Sequence, residues 1–68
     1  MRCKNIGERI SRLRKEKCIT QAELAEQIKV SRPVIIKIEN AQKTVSLGEG
    51  EDISKALGIS INSLLTYE

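Results

Sequence analysis

The side chains able to do chemistry in this sequence are few, and their types point to charge recognition rather than bond making. Histidine is absent, and the two thiols are Cys3 and Cys18. General acid–base or covalent catalysis needs a base beside a nucleophile, a pair of carboxylates, or a glycine-rich loop around a phosphate, and no such pattern occurs. An enzyme is not expected. A structural zinc set with Cys/His spacing cannot be assembled from two cysteines, and the acidic run Glu49-Gly50-Glu51-Asp52 reads as a helix start, so neither a metal nor a cofactor is expected. If a helix joins Cys3 to Cys18 they lie about 22 Å apart, beyond disulfide reach. Both are read as free thiols, in keeping with a reducing, cytoplasmic setting.

What remains is charge and its placement. The 68 residues carry 12 Lys and Arg against 9 Asp and Glu, a net +3. Residues 1–18 hold +5 of this, residues 19–40 are neutral and residues 41–68 carry −2. A clustered basic surface suits a polyanion, because each neutralised phosphate releases condensed counterions; a basic helix face is also an ordinary solubilising surface. No apolar run approaches the roughly 18 residues of a membrane span, and charges rather than a signal-peptide core follow the N-terminus. No membrane partner is expected. The length leaves room for one domain, residues 1–68, with one modest core.

Apolar residues recur at helical intervals and nowhere alternate convincingly with period two, so the chain reads as all-α with five helices. The first, about Asn5 to Lys17, sets Ile6, Ile10 and Leu13 inward and leaves Arg9, Arg12 and Lys15 outward. Thr20-Gln21-Ala22-Glu23 is a capping box that opens a second helix from Gln21 to about Ile28, with Leu24, Ala25 and Ile28 inward. After Lys29-Val30-Ser31, with Val30 joining the core, Ser31 caps a third helix, Arg32 to Glu39. Pro33 stands in its first turn and Ile35 and Ile38 form its core stripe. A polar loop, Asn40 to Ser46, precedes a fourth helix from near Leu47 that turns Ile53, Ala56 and Leu57 inward and stops at Gly58. Ser60 caps a short fifth helix with Ile61, Leu64 and Leu65.

Two short helices joined by a tight turn fit a helix-turn-helix, in which one helix enters the major groove of DNA while the other braces on its backbone. The same spacing fits a helical hairpin in any small bundle. Several segments in order decide between them: Ile6-Gly7-Glu8-Arg9-Ile10 with Leu13-Arg14, Thr20-Gln21-Ala22-Glu23-Leu24-Ala25, Val30-Ser31-Arg32, Ile35 with Lys37-Ile38-Glu39, and Lys55-Ala56-Leu57-Gly58-Ile59-Ser60 through Leu64-Leu65. Together they resemble the phage Cro/repressor-type helix-turn-helix family, also called the xenobiotic-response-element family, from Ile6 to Leu65. The resemblance implies a five-helix, lambda-repressor-like DNA-binding domain whose working part is Thr20 to Asn40.

It also implies roles. Gln21 matches the family's phosphate-binding glutamine, at a helix N-terminus where an anion is favoured, and Arg9 and Lys43 are added as phosphate candidates. Arg14 and Glu39 match an arginine and glutamate that pair between the first and third helices, a structural role. Arg32, Pro33, Val34, Ile36 and Lys37 match the base-reading surface. Arg32 and Lys37 can donate to guanine or to phosphate, and Pro33, Val34 or Ile36 can meet a thymine methyl.

The departures are specific. Cys18, Lys29 and Ala41 stand where relatives often have turn glycines, Val45 replaces a frequent proline, and Gly48 and Gly50 weaken the start of the fourth helix, leaving it frayed or packed closely on a neighbour. Pro33 and Ile36 are apolar where relatives are usually polar. The partners implied are double-stranded DNA and a second copy of the chain, with half-sites about 34 Å apart. Leu64, Leu65 and Tyr67, with the loop ahead of the fourth helix, are the candidate dimer interface, and the two leucines fit the monomer core equally well. The expected function is a sequence-specific transcriptional regulator, in simplest form a repressor, cytoplasmic and nucleoid-associated through its DNA. The apolar reading face motivates an alternative: a protein-interaction module, of antitoxin or controller type, that keeps the fold and binds a protein partner.

Overall fold

A computed structural model describes residues 5–66. Cys3 and Tyr67 lie outside the described residues. Five helices follow in order: α1 (Ile6–Glu16), α2 (Gln21–Gln27), α3 (Arg32–Glu39), α4 (Leu47–Leu57) and α5 (Ile61–Leu65). All but α3 start where a side chain supplies a partner for free backbone donors. The side chains of Asn5, Thr20, Ser46 and Ser60 accept from the peptide N–H three residues on, and Glu23 and Glu49 return the bond to complete capping boxes at α2 and α4. The box at Ser46 accounts for an ordered start to α4 despite its two glycines. Gly48 faces open space, whereas Gly50 is buried, and a methyl group built there would press on the tip of the Ile61 side chain at 3.3 Å.

The ends of the first four helices are alike. In each, one residue in the left-handed region sends its N–H to the carbonyl three back, and the next residue bonds the carbonyl five back. The second bond is Ile19 to Arg14 (3.0 Å), Val30 to Ala25 (2.9 Å), Gln42 to Lys37 (2.8 Å) and Ile59 to Ser54 (3.0 Å). This closing pair makes Lys17 and Ile28 caps rather than the last helical residues, so the turn before α3 is one residue longer than its expected three. The left-handed residues are Cys18 (φ 58°), Lys29 (φ 61°), Ala41 (φ 58°) and Gly58 (φ 71°). Only the last is glycine. The three positions lacking their glycine therefore keep the conformation that glycine would favour.

Ile10, Leu13, Leu24, Ala25, Ile35, Ile38, Ile53, Leu57 and Leu64 form one buried cluster fed by all five helices. The stripes expected on α1 to α4 supply it, with Ile6, Ile28, Val30 and Ala56 at its half-buried margin. Leu64 is wholly buried there. That corrects its expected place in a dimer interface, because a side chain with no exposed area is already committed to the core. Leu65 is 50% exposed and Leu47, at the start of α4, is 73% exposed.

Because an L-residue in the left-handed region costs about 1–2 kcal/mol, less the unfolded-state freedom that glycine restores, Cys18→Gly, Lys29→Gly and Ala41→Gly are each expected to stabilise the chain by about 0.5–1 kcal/mol. Thermal melts should rise by several degrees for each single variant; a fall at any of the three would contradict this cost.

Candidate nucleic-acid interface

The geometry of α3 is set by its neighbours, since eight residues form a helix too short to persist alone in water. Ile35 and Ile38 bury one side. On the α1 side, Gly7 is buried directly against the carbonyl end of α3, and a methyl group built there would collide with the Ile38 carbonyl oxygen. A glycine within a helix ordinarily weakens it; here, in the first turn of α1, it lets two helices touch backbone to backbone.

Two turns further along α1, Arg14 completes the joint. Its Nε and Nη2 donate to Glu39 Oε2 (2.7 Å) and Oε1 (3.1 Å), and its Nη1 donates to the Ile19 carbonyl oxygen (2.8 Å). Only 10% of the Arg14 and 6% of the Glu39 side chain is exposed. Gln21, at the start of α2, donates from Nε2 to Glu39 Oε1 (3.1 Å) and accepts at Oε1 from Arg32 Nη2 (3.4 Å). Burial pushes the Glu39 carboxyl pKa up, but hydrogen bonds from Arg14 and Gln21, the Arg14 charge and the Ser11 hydroxyl together outweigh it. The net position is below the ordinary value of 4.5.

The opposite side of α3 faces outward. Arg32, Pro33, Lys37 and Asn40 are exposed and Ile36 is half-buried. Val34 departs from the expected reading set, because it packs half-buried against the core beside Ile38. The first turn of α3 has no acidic residue, and Ser31 makes no side-chain capping bond. α1, α2 and α4 each carry an acid there, Glu8, Glu23 and Glu49. Pro33 has no N–H and the Val34 N–H bonds the Ser31 carbonyl oxygen (3.1 Å), so the Arg32 N–H is the first-turn donor left open to an external anion.

Two expected phosphate contacts are placed differently. Arg9 lies across α1 from Gly7 and Arg14 at helical spacing, donates from Nη2 to the Ser63 carbonyl oxygen (2.9 Å), and has its Nε buried without a hydrogen-bond partner. It is a strut between α1 and α5, facing away from α3. Lys43 donates to both carboxylate oxygens of Glu49 (3.0 and 3.1 Å) and to the Thr44 carbonyl (3.2 Å), so much of its charge is used at the start of α4.

Sequence reasoning missed three features. Ser46-Leu47-Gly48-Glu49 carried the capping-box spacing and was readable. Gly7 belongs to a segment that carries the family resemblance, and a glycine inside a helix asks for a reason, but neither signal names its neighbour on α3. The bridge from Glu39 through Gln21 to Arg32 joins residues 18 and 11 positions apart and has no local signature.

This arrangement, a half-buried α2 start braced against a pinned α3 with an outward cationic face, is matched in known proteins. The helix-turn-helix family matches residues 10–64. The chain belongs to that family, in its Cro/repressor-type branch. Among curated relatives of this helix-turn-helix chain, the immunity repressor protein of Bacillus phage phi105 is 36% identical over 63 residues, 93% of this chain and 44% of the relative. The chain thus spans less than half the length of that protein. Control protein C.MunI of a Mycoplasma species is 39% identical over 61 residues, 88% of this chain and 82% of that protein. Among solved structures, the P22 c2 repressor in complex with a synthetic operator superposes with a TM-score of 0.85 at 32% identity, over 97% of this chain and 100% of that one.

Removing Glu39 would strand the nearly buried Arg14 charge, a loss of about 3–5 kcal/mol where a buried pair is broken. Glu39→Ala is expected to sit near the lower end, about 3 kcal/mol, because Arg14 keeps the Ile19 carbonyl, and to lower the melting temperature by more than about 10 °C. A carboxyl held below 4.5 contributes stability that is complete above that pH and is lost as pH falls through its folded-state pKa. The variant should therefore also lose stability less steeply than the parent between pH 4.5 and acid. Unchanged melts at neutral pH would show that the pair does not hold α3.

Proposed function

We propose that this chain is a sequence-specific DNA-binding transcriptional regulator, acting as a repressor, that places α3 in the major groove and binds a palindromic operator as a homodimer. One observation carries the reading: α3 is rigidly mounted on Gly7 and the Arg14–Glu39 pair, yet its outer face and its uncapped, acid-free start are left to solvent. A helix fixed so firmly behind and so open in front is suited to reading a surface. Arg32 and Lys37 read base edges or meet phosphates, and Pro33 with the exposed part of Ile36 meets thymine methyls. Gln21 gives its second amide hydrogen to a phosphate. The P22 c2 repressor's structure with a synthetic operator supports this reading over a protein-interaction module. The same family membership supports a binding protein rather than an enzyme, working where the DNA is, in the cytoplasm.

The test is selection of sites from a random duplex pool followed by binding at graded salt. A regulator shows a defined preference and a log–log salt slope of several ions. Lys37→Ala is expected to cost about 1–3 kcal/mol on the selected site and to relax preference at one base pair. A parent chain that enriches no sequence, with no salt slope, would remove the proposal.

The homodimer rests on the apolar side chains that the core leaves out. Leu47 is one turn before Gly50 on α4, Leu65 one turn after Ile61 on α5, and Gly50 meets Ile61, so the two exposed leucines flank one seam. Leu47→Gln with Leu65→Gln should keep the fold, since neither is buried, and weaken binding to a two-half-site operator at least about tenfold while leaving a single half-site unaffected. Equal weakening on both DNAs, measured by gel shift, would point away from a dimer contact here.

A further inference from the structure

Resting on the DNA-binding function proposed above, we propose that Glu49 is an intramolecular competitor of DNA: it occupies the Lys43 ammonium, so that Lys43 meets a phosphate only by leaving it, and the pair holds down affinity for every sequence alike. The contact is close and double. Lys43 Nζ donates to Glu49 Oε2 at 3.0 Å, to Glu49 Oε1 at 3.1 Å and to the Thr44 carbonyl oxygen at 3.2 Å, which uses all three of its hydrogens.

Position brings Lys43 beside the reading helix. It is the third residue after Asn40, the cap of α3. The Gln42 N–H, bonded to the Lys37 carbonyl oxygen (2.8 Å), fastens the loop to the last turn of that helix. A helix seated in the major groove has a phosphate backbone on either side, and a chain that leaves its end so tightly stays within reach of one of them. The Lys43 side chain is 37% exposed, and its flexible stem lets the ammonium swing from one anion to another.

Glu49 is held more firmly than its partner. Its Oε1 also accepts from the Ser46 N–H (2.9 Å), and its own N–H donates to Ser46 Oγ (3.2 Å). The Ser46 N–H, and after it the Lys43 ammonium, keep the Glu49 carboxyl below the ordinary value of 4.5. At neutral pH it is a fixed anion. A phosphate that takes Lys43 must draw it away from this carboxylate and leave the negative charge uncovered nearby. Both effects oppose binding, and neither depends on the bases, because phosphates carry no sequence information. Glu49 thus sets how strongly the chain holds DNA in general and leaves the choice of site to α3.

The experiment compares the full-length parent chain with Glu49→Gln, Lys43→Met, the double variant and Glu51→Gln, which removes the same charge from an exposed position on α4. Each is titrated on the selected operator and on random duplex at graded salt, with thermal melts run in parallel. Glu49→Gln keeps an oxygen for the Ser46 N–H. It is expected to tighten binding about threefold or more on both DNAs and to steepen the log–log salt slope by about 0.9 per bound copy. Adding Lys43→Met should cancel that gain, and Glu51→Gln should give well under half of it. Should Glu49→Gln fold poorly, Glu49→Ala also frees Lys43 and is expected to move affinity and slope the same way. Unchanged or weaker binding by the Glu49 variants would mean that the carboxylate does not compete, or that it aims Lys43 at the DNA, and either overturns the proposal. So would a gain that survives Lys43→Met, or one that Glu51→Gln matches. A parent chain that binds no DNA would overturn the DNA-binding function itself, a result distinct from tight binding that ignores Glu49.

Discussion

Glu39 is the side chain on which the placement of α3 depends. It lies at the carbonyl end of a helix, where the dipole disfavours a negative charge, and it is almost entirely removed from water. Its ionised state is tolerable only because Arg14 binds it through two nitrogens and Gln21 adds a third donor. The converse holds for Arg14, whose third nitrogen is satisfied by the Ile19 carbonyl in the turn leading to α2. One ion pair therefore ties the end of α1, the turn before α2 and the end of α3. A buried pair of this kind adds little net stability over an apolar pair of the same volume, but breaking it is costly. It selects one angle for α3 rather than deepening the fold as a whole.

The turns around this joint have a different character. Cys18 precedes α2, Lys29 separates α2 from α3, and Ala41 follows α3, each in a conformation that suits glycine better. Gly58, the left-handed glycine, closes α4, outside the helix-turn-helix. The conformational cost is thus concentrated on the two helices proposed to meet DNA. It is offset by the closing pair of backbone bonds at each turn and by Val30 and Ile19, which follow the left-handed residues and pack on the core. The backbone pattern wins over residue preference because losing it would leave several carbonyls unpaired.

Most of the architecture was legible because it rests on local rules. Thr20-x-x-Glu23 and Ser60 mark helix starts, Gly58 marks an end, and the spacing of Ile35 with Ile38 or Ile53 with Leu57 marks a buried side. The site was legible only in part. The charge of Arg9 argues for an outward position, yet α5 offers it a carbonyl at Ser63 that periodicity on α1 does not reveal. Val34 matches the family's reading positions, yet it is drawn inward against the core. Leu64 and Leu65 are adjacent and chemically identical, and only the three-dimensional seat of α5 separates the buried one from the exposed one. These are all questions of which neighbour arrives from elsewhere in the chain.

The division of labour on α3 follows from the same physics. Its inner residues, Ile35, Ile38 and Glu39, are held by apolar burial, a close backbone contact at Gly7 and an ion pair, so substitutions there move the helix. Pro33, Lys37 and Asn40 touch little of the fold, so substitutions there change the presented surface with small effect on stability. Arg32 belongs to neither group. It is exposed like the outer residues but is joined through Gln21 to the carboxylate that fixes the helix. The joint that orients α3 and the hydrogen bond to its first cation therefore belong to one connected network, which reaches the face proposed to meet DNA.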